Sequence, residues 1–233
     1  MNAFRAILFD FDNTLVNYTL AEKEALTATL RHFGIIRDER DWEAFFACYE
    51  PVSSDHWRKR EGRSPRELSL MTFRDTLDRY LGRSDVAEQL ADMYWDRFCH
   101  ACHFEPGARE LLMHLSGRYK LGFVTNGYAE AQRKRLAACG IGDLFQAVVI
   151  SDEVGLRKPD PRMFDLALRQ LGAGPEETLF VGDNLHDDYG GARNAGIAFC
   201  FYNRDREPLP SDVLPDFVVE SLEQLTELFP GNR

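Results

Sequence analysis

From Pro106-Gly107 onward the chain alternates short apolar runs with amphipathic stretches, and that rhythm narrows the fold more than any other feature. Ala108–Leu115 reads as helix and Tyr119–Val124 as strand; Ala129–Cys139 as helix and Ala147–Ile150 as strand; Pro161–Leu171 as helix and Leu179–Val181 as strand. Asp188–Ala195 reads as a short helix, Ile197–Tyr202 and Phe217–Val219 as strands, and Leu222–Leu228 as a closing helix. Apolar strands separated by helices belong to parallel sheets covered on both faces. A further strand, Phe4–Phe9, stands apart from the rest. Between lies a purely helical block. Leu20–Phe33 stops at Gly34, Asp38–Tyr49 stops before Pro51, Ser64-Pro65 opens a helix through Tyr80, and Ser84-Asp85 opens one to about Phe98. The expected class is α/β: a doubly wound, mostly parallel Rossmann-like sheet from residues 1–17 and 100–233. An all-helical domain, residues 18–99, is inserted after the first strand. Arg204–Pro215, with three prolines, reads as an exposed loop.

Charge and composition exclude some functions. Against 28 basic residues stand 38 acidic ones, a net charge of −10, which disfavours a nucleic-acid polymer as partner because such binding needs a basic face. The opening residues carry no cleavable-signal pattern, and no apolar run approaches the ~20 residues of a membrane span. A cytoplasmic protein without a membrane partner is expected. The five cysteines (Cys48, Cys99, Cys102, Cys139, Cys200) are scattered and odd in number, the pattern of reduced thiols rather than of a disulfide framework. Cys99-His100-Ala101-Cys102-His103 matches the C-x-x-C-H of c-type haem attachment, chemistry that belongs outside the cytosol; for zinc, His100 or His103 could contribute but no second C-x-x-C completes the site, and the pattern is read as coincidence at a helix end.

In a doubly wound sheet, ligands bind outside the carboxyl ends of the strands. Polar residues follow several strands here: Asp10-Phe11-Asp12-Asn13-Thr14 after the first, Thr125-Asn126-Gly127 after the second, and Gly182-Asp183-Asn184 after the fourth, with Asp187 and Asp188 close behind. Lys158-Pro159 lies in the loop after the third. Any one of these acids could merely cap a helix or turn; two on the exit of one apolar strand are harder to explain so. Together they suit phosphoryl transfer. Carboxylates and a substrate phosphate make a Mg²⁺ site, one carboxylate can serve as nucleophile, and a second can move the leaving-group proton. A hydroxyl and an ammonium can stabilise the phosphoryl oxygens.

Asp10-Phe11-Asp12-Asn13-Thr14, Thr125, Lys158-Pro159 and Gly182-Asp183-x-x-x-x-Asp188 resemble, in order, the four motifs of the haloacid dehalogenase-like hydrolases. The helical insertion resembles the family's type-one cap. The resemblance implies Asp10 as nucleophile and metal ligand, and Asp12 as general acid/base with its backbone carbonyl on the metal. It implies Thr125 and Lys158 as phosphoryl holders, and Asp183 as second carboxylate ligand to Mg²⁺. Asp188, or adjacent Asp187, would orient the metal's water shell. The dehalogenases themselves are the rival within the family; the D-x-D pair and the acid-rich fourth motif favour a phosphate ester.

Val124–Gly127 and Val181–His186 are similar to the branch holding pyrimidine 5'-nucleotidases and N-acylneuraminate-9-phosphatases, and Trp57, Gly62 and Arg74 resemble it more loosely. The expected partner is a small phosphate ester. A nucleoside 5'-monophosphate leads, ahead of a sugar phosphate or phosphoglycolate, with Asn126 and Arg74 as further substrate-binding candidates. The basic run His56–Arg63 reads chiefly as a solvated face, with one or two charges available to the substrate's far end. Trp42, Phe45, Phe46, Trp95 and Phe98, at helical spacing, read as the core of the helical domain.

Overall fold

The structure, a computed structural model, describes residues 4–60 and 62–229. By internal contacts the chain divides into two compact units, Met1–Tyr18 with Cys102–Arg233, and Thr19–Ala101.

The first unit is built on six parallel strands: β1 (Ala6–Phe9), β2 (Lys120–Thr125), β3 (Ala147–Ile150), β4 (Thr178–Gly182), β5 (Ala198–Tyr202) and β6 (Phe217–Val219). Their spatial order, β3-β2-β1-β4-β5-β6, puts β1 at the centre and reverses direction across it, the doubly wound arrangement. Because successive strand side chains point to opposite faces, β1 feeds two cores. Ile7 and Phe9 pack with one cluster, Ala6 and Leu8 with the other. Helices α5 (Ala108–Leu115), α6 (Ala129–Cys139) and α10 (Leu222–Leu228) cover the first face. Helices α8 (Pro161–Leu171) and α9 (Gly190–Ala195) cover the second, while α7 (Ser151–Val154) is a single turn after β3. In α9, Gly191 is fixed by packing, since a Cβ there would lie 2.5 Å from the Phe164 ring.

The second unit consists of α1 (Tyr18–His32, whose first residue belongs to the other unit), α2 (Glu39–Arg58), α3 (Pro65–Leu81) and α4 (Ala87–His100). Helix α3 starts on a Ser64/Glu67 capping box with Pro65 in its first turn and stops at left-handed Gly82. Helix α2 corrects the expected stop before Pro51: it runs seven residues past that proline. Trp42, Phe45, Tyr49, Val52 and Ser53 form one buried face across the proline, and that packing outweighs the ~3 kcal/mol a mid-helix proline costs. Helix α4 begins at Ala87, two residues later than Asp85 suggested. Trp42, Phe45, Trp95 and Phe98 are buried, whereas Phe46 is exposed and lies against the rings of Trp42 and Tyr49. In the basic run, Arg58 and Lys59 pair with Asp55, and Arg60 and Arg63 donate to the carbonyls of Trp57 and Lys59. Among the described residues no helix is long and apolar enough to cross a membrane.

Candidate active site

The loops leaving β1, β2, β3 and β4 meet at the carboxyl edge of the sheet. Asp10, the residue after β1, is tied down by its own N–H, which donates to the Val181 carbonyl at 2.8 Å, and only 7% of it is exposed. The chain then turns back sharply. Asn13 takes a left-handed conformation (φ 58°), its N–H donates to the Val16 carbonyl, and its side chain accepts from the Tyr18 N–H. That turn swings Thr14, fully buried, toward the end of β4, where its hydroxyl donates to Asp183 Oδ1 at 3.2 Å.

Lys158 enters from the loop after α7. Its Nζ donates to Asp10 Oδ1 at 2.5 Å and to Asp188 Oδ1 at 2.6 Å. Asn126 holds that lysine by its backbone: Asn126 Oδ1 accepts from the Lys158 N–H at 2.8 Å, and Nδ2 donates to the Lys158 carbonyl at 3.0 Å. The same Nδ2 donates to Asp187 Oδ2 at 2.9 Å. Asn126, expected on the substrate, also places Lys158. Asp187 and Asp188 diverge: Asp187 is shared between Asn126 and His186, while Asp188 is buried against Lys158 and the Asn184 N–H. Gly182 permits this, since a Cβ there would lie 2.4 Å from Asp188 Oδ2.

Asp10, Asp183 and Asp188 can each direct a carboxylate oxygen to within 4.8 Å of the others; it is the one such cluster among the described residues. Burial, the strongest influence, pushes the Asp10 carboxyl well above the usual carboxylate range; Lys158 opposes this, while Asp188 and Asp183 add to it. Burial and then Asp188 push Asp183 up to about 6, against the opposing pull of Lys158 and Thr14. Burial alone would lower the Lys158 ammonium, but Asp10 and Asp188 outweigh it and raise it. Three acids around one lysine leave an excess of negative charge, and a set of oxygen donors fits a hard divalent cation.

Asp12 stands beside this cluster with partners the sequence did not reveal. Gln132 Nε2 donates to Asp12 Oδ2 at 2.6 Å and to Thr125 Oγ1 at 3.0 Å; Arg135 Nη1 donates to Asp12 Oδ1. Both residues come from α6, one turn apart, and both are 1% exposed. A lone buried arginine in a helix carries no signal that separates it from a surface one. The close approach at Gly127 is the trace that could have been read: a Cβ there would lie 2.1 Å from Gln132 Nε2, so Asn126-Gly127 is more than a turn pair.

Arg74 is exposed on α3, in the other unit. The expectation of five reduced thiols is corrected: Cys102 is bonded to Cys139, the last residue of α6, with Cα atoms 5.2 Å apart. Their 37-residue separation hid a pairing that only the packing of α6 creates. With Cys102 so engaged and His100 beside Asp96, the Cys99–His103 run forms no metal cluster among the described residues.

Residues 4–196 match the haloacid dehalogenase-like hydrolase family. The pyrimidine 5'-nucleotidase YjjG of Escherichia coli is 31% identical over 225 residues, which cover 95% of this chain and 96% of that one. A glyceraldehyde 3-phosphate phosphatase of Methanopyrus kandleri is 31% identical, covering 96% of both. Among solved structures, the HAD-hydrolase YfnB of Bacillus subtilis, bound to magnesium, superposes with a TM-score of 0.80 at 26% identity, covering 97% of this chain and 98% of that one. With the doubly wound sheet, the ordered motifs and a match over most of its length, this chain belongs to the haloacid dehalogenase-like hydrolases.

Proposed function

We propose that the protein is a Mg²⁺-dependent phosphatase acting on a small phosphate monoester through a phosphoryl group carried on Asp10. The observation that carries this reading is the buried Asp10 at the end of the central strand, sharing Lys158 with Asp188 and clustered with Asp183. Asp10, Asp183 and Asp188 would hold the cation or its water shell, and when bound it supplies positive charge that lets an anionic ester approach these acids.

In the first half-reaction an Asp10 oxygen attacks phosphorus and the bond to the ester oxygen breaks. Asp12 gives its proton to the departing alkoxide. In the second, water attacks the aspartyl phosphate, Asp12 takes the water's proton, and inorganic phosphate leaves with Asp10 regenerated. Thr125 and Lys158 offset charge on the phosphoryl oxygens throughout.

Likeness over almost the whole chain to an enzyme named for pyrimidine 5'-nucleotides supports a nucleoside 5'-monophosphate as substrate. Equal identity to a glyceraldehyde 3-phosphate phosphatase makes a sugar phosphate the second reading. A panel of phosphate esters assayed with Mg²⁺ for phosphate release tests both. A pyrimidine monophosphate is expected to give the highest kcat/KM. Halide release from a 2-haloacid without metal, and no phosphate release from any ester, would overturn the proposal.

A further inference from the structure

Gln132 and Arg135 lie outside the four motifs, yet they hold both oxygens of Asp12. A buried guanidinium is costly to desolvate and tolerated only when well paired. Arg135, 1% exposed, pairs with Asp12 and sits over the rings of Phe11 and Tyr18, at 5.5 and 5.9 Å. Asp12 is not buried with it, for a quarter of its side chain is open (26%). The arginine is therefore the sealed base of the pair and the aspartate its accessible end.

Gln132 adds direction. Its amide nitrogen is shared between Asp12 Oδ2 and Thr125 Oγ1, while its Oε1 is buried with no hydrogen-bond partner. An unsatisfied buried carbonyl is a cost, set here against the two bonds that the amide nitrogen makes to Asp12 and Thr125. A carboxylate oxygen offers about two acceptor sites. With Arg135 on Oδ1 and Gln132 on Oδ2, each oxygen keeps one site for a proton. Gly127 leaves the space through which Gln132 reaches both partners.

We propose that Gln132 and Arg135 are positioning residues for the proton transfer, fixing the Asp12 carboxyl group so that its proton is aimed at the leaving oxygen. The proposal rests on the reading of Asp12 as the acid/base. The two residues touch neither the ester nor the phosphoryl group; they act through Asp12, with Gln132 also tying it to Thr125.

The test is kcat/KM, which reports the first, phosphorylating half-reaction, measured with Mg²⁺ across esters from p-nitrophenyl phosphate to alkyl phosphates. The proteins compared are wild type, Asp12→Asn, Gln132→Met, Arg135→Met and Arg135→Lys. A p-nitrophenolate leaves with little need of a proton; an alkoxide needs one. Gln132→Met and Arg135→Met should lose about tenfold more on the alkyl esters than on p-nitrophenyl phosphate, within the ~10²–10⁴ that acid–base groups contribute. Arg135→Lys should recover part of that selective loss. An equal loss across the series, or none, would overturn the proposal and leave an ion pair that only anchors α6. If Asp12→Asn itself shows an even loss, it is the assignment of Asp12 that fails. Should Arg135→Met not fold, Gln132→Met, which removes no charge, decides alone.

Discussion

Asp10 and Asp188 share one ammonium, donated by Lys158 at 2.5 and 2.6 Å from a position almost sealed from solvent. Neither acid can be understood without the other, because the same proton donor balances both. Removing it would leave Asp10, Asp183 and Asp188 facing one another across less than 4.8 Å.

Lys158→Ala should therefore lower kcat by ~10²–10³-fold, the scale seen when one preorganised charge-stabilising donor is lost. Its melting temperature should fall more at pH 7 than at pH 5, since acidification neutralises the acids left without their cation. Steady-state kinetics and melts at the two pH values check this.

The metal-free protein should lose stability as pH rises from about 4 through 6. Asp183 is pushed up to about 6 from an ordinary 3.8, so folding takes up protons in that window and stability declines as they are removed. Asp10, raised as well, adds to the trend. Mg²⁺ should reverse it, raising the melting temperature more at pH 7 than at pH 5, and chelation should abolish phosphate release. A metal-free melting temperature that climbs with pH over this range would contradict the charge arrangement.

Asp10→Asn should eliminate turnover while preserving the fold, because an amide cannot form the acyl phosphate. Asp12→Asn should retain a measurable rate, reduced by ~10²–10⁴-fold. Near-normal kcat in a folded Asp10→Asn protein, free of wild-type enzyme, is the result that would refute the nucleophile assignment.

Substrate choice should map to the helical unit, because the sheet-edge residues handle only the phosphoryl group common to all monoesters. At least one of Arg60→Ala, Arg63→Ala and Arg74→Ala should change the kcat/KM ratio between a pyrimidine monophosphate and a small generic ester. Arg74 is the first candidate, being exposed where Arg60 and Arg63 already donate to helix carbonyls. An unchanged ratio in all three variants would mark the basic run as a solvated face.

Thiol titration of the denatured, unreduced protein should find three reactive groups, from Cys48, Cys99 and Cys200, and five after reduction. Closing a 37-residue segment restricts the unfolded chain by about 4 kcal/mol on the chain-entropy account. Cys102→Ser should lower thermal stability accordingly. Five thiols without reductant would show the pair to be open.

What could be read from sequence was whatever depends on local pattern. The alternation after Pro106 required a parallel sheet, and the abrupt change from apolar strand to Asp10 and Asp12 marked its polar edge. What stayed hidden depends on packing between distant segments. Pro51 looked like a helix stop because propensity is local, whereas the buried face of α2 that overrides it is not. Phe46 shared the spacing of the core aromatics but faces outward. Gln132 and Arg135 sat in an ordinary helix until α6 was laid against the turn after β1. That Asp188 meets Lys158 while Asp187 meets Asn126 depends on a close approach at the end of β4, which Gly182 allows and no spacing could foretell.

The central place of β1 also sets an order of events during synthesis. Its two neighbours are β2 and β4, and Asp10 lies 148 residues ahead of the Lys158 that balances it. At ~5–20 residues per second, the ribosome needs roughly 7–30 s to cover that distance. Until β2 is made both hydrogen-bonding edges of this fully apolar strand are unfilled, and the β4 edge stays so beyond Lys158, the condition that invites pairing with the wrong chain. Helices α2, α3 and α4, made in the meantime, pack on one another and can condense early. Completion of the carboxyl edge is then one of the last acts of folding, so a chain cut off before β4 carries Asp10 but neither Asp183 nor Asp188 to cluster with it.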